Sequence, residues 1–342
     1  MQQKYMEKCI ELAKKAEGMT SPNPLVGCVI TDEFDNIIAT GYHHKYGENH
    51  AERDALEKIN NGDGDTLYVN LEPCSHFGKT PPCTDIIIEK GIKHVVIGMK
   101  DPNPKVSGIQ ILKDAGIDVT TGILEDDCKK LNEVFIKNMV EQKTFVALKT
   151  ATTLDGKIAT SRGSSKWITT ETAREEVKVI RNRYDAILTS STTVIADDPV
   201  MEHRKKIILD RELKTSLNSK IYQNGEVYIF NAFKEGDKGN LHYIKTPSSD
   251  NKISLEFVFS KLYELGIMSV LVESGGKLNG RVLKYADKIY HFIAPKIAGD
   301  NEARSCFDFR AIKEISECKN YVFSDITRFG KDILLTYYPV KD

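Results

Sequence analysis

Short apolar runs alternate with segments of helical period along almost the whole of this 342-residue chain, and they do so twice over. At the start, Tyr5, Met6, Cys9, Ile10, Leu12, Ala13 and Ala16 form one apolar stripe at helical spacing. After a turn at 21–24, the pattern predicts strands at 25–31, 37–41, 66–70, 94–99 and 117–120. Helices are predicted at 51–59, 84–90 and 109–115, and a longer one at 126–141 leads into a new strand at 145–150. The second half predicts helices at 171–182, 255–265 and 278–285. Its strands are expected at 186–190, 206–210, 227–231, 269–273 and 288–294, with a closing hairpin of 321–327 and 331–338 around Phe329-Gly330. Strands alternating with helices make a sheet that helices cover, so both halves are expected to be α/β, the first a three-layer domain. The break falls near 143–145, giving domains of 1–143 and 144–342, each long enough to bury its own core.

Charge narrows the partners. The chain carries 48 Lys+Arg against 49 Asp+Glu, a formal net charge of −1. It has no basic stripe interleaved with aromatics, so neither nucleic acid nor a membrane surface is an expected partner. No run approaches ~18 apolar residues, and the charged N-terminal stretch lacks a secretory apolar region. Seven dispersed cysteines make a poor disulfide framework and suggest a reducing cytoplasm.

Two of those cysteines keep unusual company. His50-Ala51-Glu52 opens an amphipathic helix, and Glu72-Pro73-Cys74 through Pro82-Cys83 follows about twenty residues later. His50, Cys74 and Cys83 can give a tetrahedral Zn²⁺ three ligands and leave the fourth position to water, which marks a catalytic site. Zinc brings the pKa of that water towards ~7. Glu52 is not needed as a ligand and can move protons. A closed structural site, with His76 as fourth ligand, is the competing reading, and it leaves Glu52 without a purpose. The other five cysteines read as small buried hydrophobes. His43 and His44 lie near the site, but a histidine beside a strand end is more often structural, and neither is placed in the candidate set.

H-x-E followed by P-C-x-x-C is the nucleobase-deaminase signature. Here eight residues, not two, separate the cysteines. With Ser21-Pro22-Asn23-Pro24-Leu25-Val26-Gly27, this chain resembles the riboflavin-biosynthesis pyrimidine deaminase, in bacteria the N-terminal half of a bifunctional deaminase–reductase. The resemblance implies a cytidine-deaminase-like domain that hydrolyses the amino group from C2 of 2,5-diamino-6-(5-phosphoribosylamino)pyrimidin-4-one. It implies that Asn23 binds the base and that His76 and Lys79 meet the phosphoribosyl group. Lys79 is equally readable as a solvated loop lysine.

The second half supports the same resemblance. Lys149 to Ala159, Gly163 to Thr169, Arg181 to Ile187, Thr193 to Pro199 and Val272 to Gly280 resemble, in that order, the riboflavin-pathway reductase. That resemblance implies a dihydrofolate-reductase-like fold, NADPH as hydride donor, and reduction of the ribosyl group of 5-amino-6-(5-phosphoribosylamino)uracil to ribityl. It places Ala151, Trp167, Thr193, Asp197, Gly275 and Gly276 near the dinucleotide. It places Ser165, Arg181, Met201, Arg204 and Glu273 near the substrate. Arg181 and Arg204 suit a phosphomonoester, and Glu273 is readable as a proton donor or as a group that only holds a hydroxyl. Relatives often carry Leu in place of Met201, so the 201–204 loop departs from the pattern. By the residues alone, Gly275-Gly276 after an apolar strand suits either a pyrophosphate or a tight turn, and Trp167 either a cofactor contact or a core. The resemblance also implies self-association through the reductase domains. The competing readings are a nucleoside or tRNA-adenosine-type deaminase fused to an unrelated binding domain, and a zinc-stabilised scaffold.

Overall fold

The structure is a computed structural model that describes residues 2–62, 64–78, 81–249, 251–308 and 310–340. It divides into two compact units, Met1–Gln142 and Lys143–Asp342.

In the first unit the elements run α1 (Gln2–Lys14), β1 (Gly27–Thr31), β2 (Ile37–Tyr42), α2 (Ala51–Leu56), β3 (Thr66–Leu71), α3 (Cys83–Glu89), β4 (His94–Met99), α4 (Gly108–Asp114), β5 (Asp118–Thr121), α5 (Glu125–Leu131) and α6 (Glu133–Glu141). Among the described residues the sheet order is β2-β1-β3-β4-β5, antiparallel at β2-β1-β3 and parallel from β3 to β5. Two glycines show the layers. A Cβ on Gly27 would sit 2.1 Å from the Cys9 oxygen of α1, and one on Gly41 would sit 2.4 Å from the Ala51 oxygen of α2. Only glycine admits helices this close. Gly41 pairs with Cys28, the neighbour of Gly27, so α1 and α2 lie on opposite faces.

The predicted helix over 126–141 is broken at Asn132. This buried side chain accepts from the Leu25 N–H at 2.8 Å and donates to the Leu25 oxygen at 3.0 Å. Asn70, at the end of β3, accepts from the Gly27 N–H at 2.7 Å and donates to the same Leu25 oxygen at 2.9 Å. Two asparagines thus hold the backbone that follows the 20–24 turn.

The second unit contains β6 (Phe145–Thr152), β7 (Lys157–Ala159), α7 (Glu171–Asn182), β8 (Ala186–Ser190), α8 (Ser191–Asp197), β9 (Lys205–Leu209), β10 (Glu226–Asn231), β11 (Gly236–Lys238), β12 (Leu241–Lys245), β13 (Ser248–Ser249), β14 (Lys252–Ile253), α9 (Leu255–Glu264), β15 (Ser269–Val272), α10 (Gly276–Val282), β16 (Lys288–Ile293), β17 (Arg304–Ser305), β18 (Tyr321–Phe329) and β19 (Asp332–Pro339). Its main sheet, among the described residues, is ordered β11-β12-β10-β9-β8-β15-β6-β16-β19-β18. From β12 to β16 neighbours are parallel; the edges β11, β19 and β18 are antiparallel. Alternate residues of β9 feed different cores, Ile207 and Leu209 packing with α9 residues and Ile208 with Val194 of α8. The sequence pattern missed α8, whose seven residues cover barely two turns, and the short ladders.

Two outcomes test this packing. Asn70→Ala leaves the Gly27 N–H without a partner and should cost the first unit about 2–4 kcal/mol in denaturant unfolding. In the second unit, burial lowers His291 to about 4, and its Nε2 lies 2.8 Å from Thr152 Oγ1. Below its unfolded pKa of ~6.5 the unfolded chain therefore takes up a proton the folded one refuses. Stability should fall as pH drops from ~6.5 to about 4, and His291→Phe should flatten that slope.

Candidate active site

His50 is the N-cap of α2, Cys83 the first residue of α3, and Cys74 lies three residues beyond β3. Their ligand atoms lie within 4.8 Å of one another. His50 Nδ1 is 3.4 Å from Cys74 Sγ and 3.5 Å from Cys83 Sγ. A tetrahedral zinc, at ~2.3 Å from sulfur and ~2.0 Å from nitrogen, would separate such atoms by about 3.5 Å, so the three fit the metal. Among the described residues His76 is not in this cluster; it is exposed, and the closed four-ligand reading has no support in the geometry. The loop after β3 is anchored by Glu72, whose carboxylate accepts the N–H groups of Asp101 at 3.2 Å and Ile109 at 3.0 Å.

The thiols differ. The hydrogen bond from Cys83, aided by His50 and opposed by burial, holds Cys74 down at about 4. That same hydrogen bond, with burial, pushes Cys83 well above the usual thiol range. Glu52 is 3% exposed, and burial followed by the charge of Cys74 raises its carboxyl to about 7. A carboxyl poised there can both take and give a proton near neutrality.

Asn23 is brought to this site through His43, which the sequence reasoning set aside. Asn23 Nδ2 lies 3.1 Å from His43 Nε2, and the His43 ring packs edge-on to His50 at 5.5 Å. Lys79 lies outside the described residues.

In the second unit a buried carboxylate organises the site. Glu273 follows β15; Lys149 comes from β6 and Arg181 from the end of α7. Lys149 Nζ is 2.9 Å from Oε2, and Arg181 reaches Oε1 with Nε at 2.6 Å and Oε2 with Nη2 at 3.0 Å. Burial disfavours the Glu273 charge, but Lys149 and Arg181 outweigh it and hold the carboxyl at about 2. Glu273 is therefore a carboxylate, which favours the reading of it as a holder of a hydroxyl over that of a proton donor. The Nε and Nη2 edge of Arg181 is engaged by Glu273, which leaves Nη1 outside this pair. Lys149 was quoted in the sequence without a role; a lysine inside an apolar strand was the available signal.

The 201–204 loop lies beside Arg181, since Glu202 helps to sustain its charge. Met201 is buried and packs with Val194 and Ile208. Arg204 is exposed, and Ser165 is half-buried in the segment before α7. Trp167 is 62% exposed, which removes the core reading, and the Arg174 guanidinium stands 4.3 Å from its ring centroid. Ala151, Thr193 and Gly275 sit at or beyond the carboxyl ends of β6, β8 and β15, three neighbouring parallel strands, and Asp197 is exposed at the end of α8. Ligands of open α/β sheets bind outside such strand ends. A Cβ on Gly276 would strike the Ser305 oxygen at 2.1 Å, whereas one on Gly275 would meet open space. The close approach of the 305 segment therefore requires glycine at 276, and Gly275 leaves room for a ligand such as a dinucleotide phosphate.

Comparison with known proteins agrees with this arrangement. Residues 1–99 match the cytidine and deoxycytidylate deaminase zinc-binding region, and residues 144–335 match the RibD C-terminal domain. The riboflavin biosynthesis protein RibD of Aquifex aeolicus is 39% identical over 97% of each chain, and that of Actinobacillus pleuropneumoniae 38% identical over 97% of this chain and 94% of its own. The crystal structure of the Thermotoga maritima diaminohydroxyphosphoribosylaminopyrimidine deaminase/5-amino-6-(5-phosphoribosylamino)uracil reductase covers 99% of both chains with a TM-score of 0.90 and 39% identity. Acinetobacter baumannii RibD does so at 0.89 and 35%. The chain belongs to the RibD family of bifunctional riboflavin-biosynthesis enzymes, which join a zinc-dependent deaminase to an NADPH-dependent reductase.

Proposed function

We propose a residue-by-residue division of labour for the two activities. The chain removes ammonia hydrolytically from 2,5-diamino-6-(5-phosphoribosylamino)pyrimidin-4-one, then reduces the ribosyl group of the resulting 5-amino-6-(5-phosphoribosylamino)uracil to ribityl. The single observation that carries the first assignment is a buried carboxyl, Glu52, two residues from one member of a three-ligand cluster.

His50, Cys74 and Cys83 hold zinc, which supplies Lewis acidity and makes water a nucleophile at neutral pH. Glu52 moves the two protons of the attacking water, one to the ring nitrogen beside C2 and one to the amino group that leaves C2 as ammonia, so the ring retains a carbonyl oxygen from water. Asn23 holds the base, and His76 and Lys79 meet the phosphoribosyl group.

In the second unit Ala151, Trp167, Thr193, Asp197, Gly275 and Gly276 hold NADPH, which supplies hydride to the ribosyl C1. Glu273, ionised and fixed by Lys149 and Arg181, accepts a hydrogen bond from a sugar hydroxyl and orients the ring that opens. Ser165, Arg181, Met201 and Arg204 complete the substrate pocket. Pre-set charge of this kind needs no rearrangement during reaction.

The substrates are small phosphorylated pyrimidines, and we assign no nucleic-acid or membrane partner. The near-neutral charge supports this, and no helix among the described residues is long and apolar enough to cross a membrane. Unpaired thiols support a cytoplasmic setting. Exposed Val322, Phe323 and Ile326 along the edge strand β18 support a homo-oligomer.

The purified protein, given the diaminopyrimidinone ribotide and NADPH, should release ammonia and consume NADPH absorbance; silence in both overturns the reading. Glu52→Gln should keep its zinc, lose about 10²–10⁴-fold in ammonia release, and still reduce supplied deaminated substrate at the normal rate. Glu273→Gln should do the opposite, slowing only NADPH oxidation, and should destabilise the second unit by about 3–5 kcal/mol because Lys149 and Arg181 lose their buried counter-ion.

A further inference from the structure

His43 is held on three sides by hydrogen bonds, one of them to the Asn23 amide. The residue is 2% exposed and lies just past β2, where its main-chain N–H donates to the Val26 oxygen at 2.9 Å. Its Nδ1 is 2.9 Å from the main-chain oxygen of Asn49, the residue before the ligand His50. A carbonyl oxygen can only accept, so Nδ1 carries the ring proton. Nε2 of the neutral ring is then an acceptor, and it meets Asn23 Nδ2, the donor end of the amide, at 3.1 Å. The other end, Oδ1, has no hydrogen-bond partner among the described residues.

We propose that His43 is a positioning residue for specificity: it locks the Asn23 amide with Oδ1 towards the substrate, so that the site selects a pyrimidine offering N–H or amino hydrogens at that point. This rests on the reading of Asn23 as the base-binding residue. A side-chain amide whose two ends have no fixed partners rotates, and in half of its orientations it would set its NH₂ against donors on the ring. The Asn49 carbonyl that sets the tautomer belongs to the same turn that delivers His50, so metal ligand and base reader are set by one piece of backbone.

A mutant cycle tests this, with deaminase kcat and KM, zinc per chain and the reductase rate on supplied deaminated substrate read in the same preparations. Asn23→Ala should raise deaminase KM about tenfold, and His43→Phe should do likewise with kcat changed less than about threefold and zinc and reductase rate unaltered. His43→Gln, whose amide oxygen replaces the Nε2 acceptor, should return KM to within about threefold of the parent. In the Asn23→Ala background, His43→Phe should add less than about twofold, because the ring acts through the amide. If His43→Phe loses zinc, His43→Met, which also lacks an acceptor, carries the same expectations. An unchanged KM for Asn23→Ala overturns the base-binding reading and this inference with it. A raised KM for Asn23→Ala combined with a parental KM for His43→Phe, or with additive effects in the double variant, overturns the inference alone.

Discussion

The side chain of Asn70 binds main-chain groups on both sides of Val26, and the deaminase site depends on that clamp. Asn70 stands at the end of β3, two residues before the Glu72-Pro73-Cys74 segment. The backbone it grips descends from the turn that carries Asn23. One amide therefore ties the loop that carries Asn23 to the loop that carries Cys74, and Asn132 grips the same Leu25 backbone. Amides suit this task because each offers a donor and an acceptor to a backbone that precedes the β1–β3 ladder, which begins at Cys28. Glu72 repeats the device with a carboxylate, gathering the N–H groups of Asp101 and Ile109 around the cysteine loop.

Both sites bury a glutamate, with opposite electrostatic results. Glu52 is surrounded by the low dielectric of the core and the charge of Cys74, so its carboxyl titrates at about 7 and can shuttle protons. Glu273 is as deeply buried but faces an ammonium and a guanidinium, which hold it ionised. Desolvation is common to both, and the neighbours decide the sign. Hydrolysis needs a group that changes protonation state, whereas hydride transfer to a sugar carbon needs a fixed charge and good alignment.

The reductase unit collects its residues by topology rather than by local motif. Lys149, Arg181 and Glu273 are up to 124 positions apart in sequence, yet β6, β8 and β15 are neighbours in the sheet. Parallel order brings the ends of β6, β8 and β15 to one edge, where Ala151, Thr193 and Gly275 sit. Gly276 is spent on the close approach of the 305 segment, and Gly275 beside it stays open. Adjacent glycines thus face different surroundings, a distinction that depends on what each Cβ would touch.

The sequence by itself determined the α/β alternation in both halves, most strands to within two residues, and the His50, Cys74, Cys83 and Glu52 set. Those features are local: hydrophobic period reports a buried face, and metal chemistry restricts residue types and spacing. Tertiary structure decided the rest. It broke the 126–141 helix, because the buried Asn132 bonds to Leu25, 107 positions away. It buried Met201, exposed Trp167, and held Glu273 as a carboxylate between Lys149 and Arg181. It also drew His43 into the site, since the tautomer of an imidazole and the orientation of an amide follow from their partners. Such properties belong to pairs of distant residues, and no window of sequence contains both members.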